Sequence, residues 1–181
     1  MIFVNEEFEA EKDIVICGYY VPYRRWKNDP DMAGVPYDLY SRKILDLKDG
    51  KRSAVNYFYA LLDEEICPGV AICVVPPHSP QSVDSGVMML AQKLAAHNRI
   101  DLTGYLVRTK EIEKLARGGN RNRNVHLDSI DVNSEMSITG EVILVVDDVT
   151  TSGNSLYACR DILMNHGASR VALLALGQTV S

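Results

Sequence analysis

Two carboxylates stand side by side, Asp147 and Asp148, at the end of the apolar run Val142–Val146. Small polar residues follow at once: Thr150, Thr151, Ser152, Gly153, Asn154 and Ser155. A helix is expected to begin there. Backbone N–H groups at a helix start, hydroxyls beside them and a glycine that permits close approach make a cradle for phosphate. The loop has no lysine, so it is not the G-x-x-x-x-G-K-[ST] nucleotide loop. Two carboxylates beside a phosphate repel it unless they face something else. Vicinal sugar hydroxyls suit them, because a carboxylate accepts strong hydrogen bonds from O–H donors. A phosphate with two hydroxyls beside it describes a ribose 5-phosphate. The plainer reading is a strand with an acidic turn and a Thr/Ser helix cap.

The segment resembles the signature of type I phosphoribosyltransferases: an apolar strand, two acids, Val or Ile, any residue, then T-[TS]-G-x-[TS]. Asp147, Asp148, Val149, Thr151, Ser152, Gly153 and Ser155 match it position by position. The resemblance implies phosphoribosyl pyrophosphate as ligand. Asp147 and Asp148 are then expected to hold the ribose hydroxyls, and Thr150–Ser155 the 5-phosphate. It also implies a magnesium ion that keeps most of its waters, with Asp147 and Asp148 reaching it through water. Members that act on 6-oxopurines carry an Asp, serving as a base, where this chain has Thr151, which argues against that subgroup.

Two further loops are expected to complete the site. Pro76-Pro77-His78-Ser79-Pro80 follows the apolar run Val70–Val75. In the family the equivalent loop binds pyrophosphate through backbone amides, often with unusual peptide geometry, and Pro77, His78 and Ser79 are its candidates here. A proline-rich surface turn accounts for the same residues. Relatives often carry a cation in this loop and this chain has none, so the pyrophosphate charge must be met elsewhere. The source expected is the basic stretch Arg108, Lys110, Lys114, Arg117, Arg121 and Arg123, opposed only by Glu111 and Glu113. A flap closing over pyrophosphate would stabilise charge that grows as the C1–O bond breaks. Arg108 and Lys110 are the catalytic candidates, Arg117 and Arg121 binding residues, and Gly118-Gly119 the hinge. A solvated charged face is the alternative.

The order of parts is also similar to the competence-associated, ComF-like branch of the family. Ile44-Leu45-Asp46-Leu47-Lys48-Asp49-Gly50-Lys51 looks like its leading helical stretch, and Arg108-Thr109 with Arg121-Asn122-Arg123-Asn124 like its flap. The cysteine zinc module many members carry at the N-terminus is not present. In the family a variable hood recognises the acceptor. Here it would fall among Tyr19, Tyr20, Tyr23, Trp26 and Tyr37, where packing is the commoner role and stacking on a flat ring the functional one. His126 is read as structural.

These parts must be held by a scaffold. Strands are expected at Asp13–Tyr20, Val70–Val75, Leu102–Val107, Glu141–Val146 and Arg170–Leu176. Helices are expected at Tyr37–Asp49, Arg52–Ile66, Val83–His97 and Asn154–His166, with Val21–Pro36 irregular. Leu39, Ile44 and Leu47 form an apolar stripe on the first helix. Alternating apolar strands and helices argue for a doubly wound, mainly parallel α/β sheet, whose ligands sit at the carboxyl ends of the strands. The 181 residues fit one domain, with residues 1–66 as hood and helical region and 67–181 as core.

Composition narrows the function. A net charge of −5 disfavours general nucleic-acid binding. The four cysteines form no C-x-x-C pair and read as reduced thiols. No apolar run reaches the roughly 18 residues of a membrane span, and the acidic start does not look like a signal peptide. A cytoplasmic protein is expected, by family resemblance a homodimer, acting on a small-molecule donor and an unidentified, nitrogenous acceptor. A non-catalytic sensor with a protein partner, or an accessory factor of DNA metabolism or defence, are the other readings.

Overall fold

The computed structural model describes residues 1–79, 85–111 and 123–180. A short helix α1 (Glu6–Ala10) precedes strands β1 (Ile14–Ile16) and β2 (Tyr19–Tyr20). Helix α2 (Tyr23–Asn28) and a 3-10 turn at Pro30–Met32 follow, then α3 (Leu39–Lys48) and α4 (Arg52–Leu62). The rest runs β3 (Ala71–Val74), α5 (Gly86–Ala95), β4 (Ile100–Asp101), β5 (Leu106–Arg108), α6 (Arg123–Leu127), β6 (Ile130–Val132), β7 (Val142–Thr150), α7 (Asn154–Asn165) and β8 (Arg170–Thr179).

The central sheet has the order β1-β8-β7-β3-β4, every pairing parallel, with β2 also on β8. The fold is α/β with a parallel sheet, as the alternation of elements implies. The strand expected at Asp13–Tyr20 is two short pieces along β8, bridged by Cys17 N–H to the Ala175 carbonyl and Gln178 N–H to that of Gly18. Thus the N-terminal third supplies an edge of the same sheet. The strand expected at Leu102–Val107 is different. Only Ile100–Asp101 joins the sheet, whereas Leu106–Arg108 pairs antiparallel with Ile130–Val132 in a separate ribbon.

Strand alternation builds two cores. Ile72, Val74, Leu144, Val146, Leu174 and Leu176 face α3, α4 and α5 through Ile44, Leu47, Phe58, Leu90 and Leu94. Ala71, Cys73, Ile143, Val145, Leu173 and Ala175 face α7 through Leu156, Cys159, Ile162 and Leu163. Continuous burial along β3 and on Ile143–Val146 follows from cover on both sides. On α3 the inward stripe is Ser41, Ile44 and Leu47, and Leu39 is 69% exposed. Asp38 caps the helix by accepting from Ser41 N–H, which starts it two residues later than expected. The four cysteines are free, Cys73 and Cys159 buried. No helix among the described residues is long and apolar enough to cross a membrane.

Two contacts hold the helices on this face to one another. A β-carbon on Gly86, the first residue of α5, would stand 1.8 Å from the Leu47 carbonyl oxygen, so only glycine lets α5 lie this close to α3. Arg99 is the second. Its side chain is 3% exposed and pairs with Asp63 at 2.8 Å, while it also donates to the carbonyls of Asp63, Leu94 and Ile66. Burial works to raise the Asp63 pKa, but bonds from Arg99, His97 and Tyr59 outweigh it and hold the carboxyl at about 2.

Gly86→Ala is expected to cost about 1–3 kcal/mol, because a backbone carbonyl cannot step aside, read by urea unfolding. Arg99→Met is expected to cost about 3–5 kcal/mol, since it takes the buried cation from Asp63 and leaves buried carbonyls unmatched. Asp63 has a depressed pKa, so its contribution is complete above its ordinary value and lost as pH falls toward about 2. The difference between wild type and Arg99→Met should therefore shrink across that interval.

Candidate functional site

β3 continues through α5 to β4 on one side, and β7 continues through α7 to β8 on the other. The winding thus reverses between β3 and β7, and the carboxyl ends of these two strands are the place where open parallel sheets form a ligand crevice. β3 pairs with β7 only as far as Val74 opposite Val146, with one further bond from Val75 N–H to the Val146 carbonyl. β7 runs on through Thr150, paired to β8 alone. Asp147, Asp148, Val149 and Thr150 therefore lie on strand rather than on the loop expected after Val146.

Strand alternation sends the two carboxylates to opposite sides. Asp147 follows Ile143 and Val145 toward α7, where Ser155 Oγ donates to its Oδ2 at 3.3 Å. Its Oδ1 accepts the Asp148 N–H at 2.9 Å. Burial pushes the Asp147 carboxyl above the usual range and the Asp148 carboxylate adds to this, while Lys48, the Asp148 N–H and Ser155 oppose it. Asp148 follows Leu144 and Val146 toward α3, where Lys48 Nζ lies 2.8 Å from its Oδ2. Lys48 was not among the residues expected at the site. Tyr20 stands within electrostatic reach of this pair: burial raises its phenol pKa, Lys48 lowers it and Asp148 raises it.

The turn into α7 is tight. Gly153 has φ +76 and caps the helix, and its N–H donates to Thr150 Oγ1 at 2.9 Å. A β-carbon there would meet Ile14 Cδ1 at 2.6 Å and the Tyr157 ring at 2.7 Å. Thr151 Oγ1 donates to Thr179 Oγ1 on β8 at 3.1 Å. Thr151 and Ser152 are exposed, and Asn154 and Ser155 half-buried. Asp147 through Ser155 thus gathers at one end of β7, with hydroxyls and a helix start on one side of the carboxylates and a lysine on the other.

Pro76–Ser79 begins where β3 leaves the sheet, and no cis peptide bond occurs among the described residues. Pro77, His78 and Ser79 are half-buried. The loop is held from beneath by Arg108, which is 6% exposed. Its Nε donates to the Pro77 carbonyl at 2.9 Å, Nη2 to Pro76 at 3.2 Å and Nη1 to Ser129 Oγ at 2.6 Å. The guanidinium read from sequence as a flap cation here supports the neighbouring loop. Lys110 is exposed two residues beyond it. Arg117, Arg121, Lys114, Pro80 and the Gly118-Gly119 pair lie outside the described residues. Arg123 pairs with Asp161 on α7, and His126 is buried.

Among the aromatics, Tyr23, Trp26 and Tyr37 pack on one another at centroid distances of 5.3–5.4 Å. The Tyr37 hydroxyl donates to the Val21 carbonyl at 2.6 Å. Tyr20 is buried and Tyr19 is 71% exposed. No group of three or more His, Cys, Asp or Glu side chains able to hold a metal occurs among the described residues.

No family model matches the chain, and no curated protein matches it. Among solved structures it is similar to a hypoxanthine phosphoribosyl transferase of Trypanosoma cruzi, at 12% identity and a TM-score of 0.38. The match covers 77% of this chain and 66% of that one.

Gly153→Ala is expected to lower stability by about 2–4 kcal/mol, about 1–2 from the left-handed backbone and the remainder from the clash. Gly140 has φ +81 with nothing within 4 Å of a β-carbon, so Gly140→Ala should show the backbone part alone. Thermal unfolding of the two variants separates these contributions.

Proposed function

We propose that the crevice binds phosphoribosyl pyrophosphate and that the protein transfers the phosphoribosyl group to a nitrogenous acceptor. The observation that carries this reading is the arrangement at the end of β7. Two adjacent carboxylates stand at a reversal of strand order, directly before a glycine-capped helix start lined with hydroxyls. A diol fits the carboxylates and a 5-phosphate fits Thr151–Ser155, whose backbone N–H groups lie at a positive helix end. Val149 and Thr150, the last residues of β7, connect the two.

In the proposed reaction the acceptor nitrogen forms a bond to C1 as the C1–O bond breaks. The bonding pair leaves with pyrophosphate, and the acceptor's proton passes to solvent. Asp147 and Asp148 orient the sugar so that C1 is open to attack, and cations offset charge on the departing oxygens. Pro77, His78 and Ser79 border the place for pyrophosphate, with Lys110, Arg117 and Arg121 as further cations. The donor set fits a magnesium ion held chiefly by the ligand. Both Asp147 oxygens already accept bonds and Asp148 is paired, so Asp147 and Asp148 would reach such an ion through water. Its chemistry there would be to neutralise pyrophosphate charge.

One observation favours a second reading, a sensor that binds the donor without turnover. Arg108, the nearest buried cation to the Pro76–Ser79 loop, is committed to loop carbonyls. A sensor would bind the donor and release no pyrophosphate with any nucleobase.

Asp148→Asn is expected to weaken donor binding at least about 100-fold, through loss of two charge-assisted bonds of about 1.5 kcal/mol each. Calorimetric titration with phosphoribosyl pyrophosphate and Mg²⁺ measures this. Unchanged affinity removes the carboxylates from the site and with them the proposal.

A further inference from the structure

The Lys48–Asp148 pair joins two segments 100 residues apart, and its lysine is the element of the crevice that a bound diol would disturb. Lys48 ends α3, and the residue before it, Leu47, is fully buried with its carbonyl against Gly86. The backbone at Lys48 is thereby fixed, while its side chain, 36% exposed, is free to pivot. Gly86 opens α5, the far end of the connection that Pro76–Ser79 begins. Lys48 thus reaches Asp148 from a helix end packed against the first residue of α5.

The charges around it require a cation at that place. Asp147 and Asp148 are adjacent acids, Pro76–Ser79 holds no lysine or arginine, and the Arg108 guanidinium is turned to Pro76, Pro77 and Ser129. A lysine ammonium is compact, carries three donors and rides on a flexible stem, so it can change acceptor without backbone motion.

We infer that Lys48 is a donor-binding residue that holds Asp148 in the ligand-free crevice and turns to a pyrophosphate oxygen when the ribose hydroxyls take the carboxylate. The inference rests on the phosphoribosyl reading above. It makes Lys48 a specificity residue, favouring a sugar phosphate that bears pyrophosphate at C1 over one with a free C1 hydroxyl.

The test is calorimetry of wild type, Lys48→Met and Lys48→Arg with phosphoribosyl pyrophosphate and with ribose 5-phosphate, both with Mg²⁺. Lys48→Met should weaken the pyrophosphate ligand at least tenfold and ribose 5-phosphate less than threefold, and Lys48→Arg should restore most of the loss. Equal weakening of both ligands makes Lys48 a mere support for Asp148 and overturns the inference, as does an unchanged affinity for the pyrophosphate ligand. Thermal unfolding of Lys48→Met checks that it folds, and Lys48→Gln is read in the same way if it does not. Wild type that binds neither ligand overturns the functional reading itself, whereas wild-type binding that Lys48→Met retains overturns this inference alone.

Discussion

β7 outlasts β3 by four residues, and the site depends on that difference in length. As far as Val146 the strand is bonded on both edges and buried on both faces. Beyond it, β8 alone holds the strand and the other edge opens into the crevice. Strand geometry persists, so side chains still alternate. That alternation sends Asp147 to α7 and Asp148 to α3, and gives each carboxylate a different partner. A loop at this point would have left the two acids without fixed directions.

The surrounding elements serve this opening from both faces. Below the sheet, α7 begins at Gly153 because a left-handed turn packed against Ile14 and Tyr157 admits no side chain. Above it, α3 and α5 meet through Gly86 so closely that the end of α3 is fixed over Asp148. The ribbon of β5 and β6 lies outside the main sheet and delivers Arg108 beneath Pro76 and Pro77. Tyr157 apart, the partners in these contacts are distant in sequence and close in space.

That distance decides what the sequence alone could show. The buried runs at Val70–Val75 and Val142–Val146, the helix after Gly153 and the gathering of Asp147–Ser155 at the end of an apolar strand were legible, because each is local. The continuation of β7 through Thr150 was not. Two acids and a threonine lower any strand pattern, and pairing with Ala175–Gln178 supplies what the pattern lacks. Arg108 was read among the cations of a flap, since six basic residues crowd that stretch. A signal was present: Leu106, Val107 and Arg108 alternate, so Arg108 shares the buried side of Leu106. Lys48 was visible only as part of a motif. Nothing within its own helix points to a carboxylate on a strand 100 residues later.

A crystal structure with phosphoribosyl pyrophosphate and Mg²⁺ would show whether the end of β7 holds the donor. Both ribose hydroxyls are expected within hydrogen-bond distance of Asp147 and Asp148, and the 5-phosphate against the backbone of Thr151–Ser155. A donor bound anywhere else, or with its phosphate rather than its diol at the carboxylates, would contradict that placement.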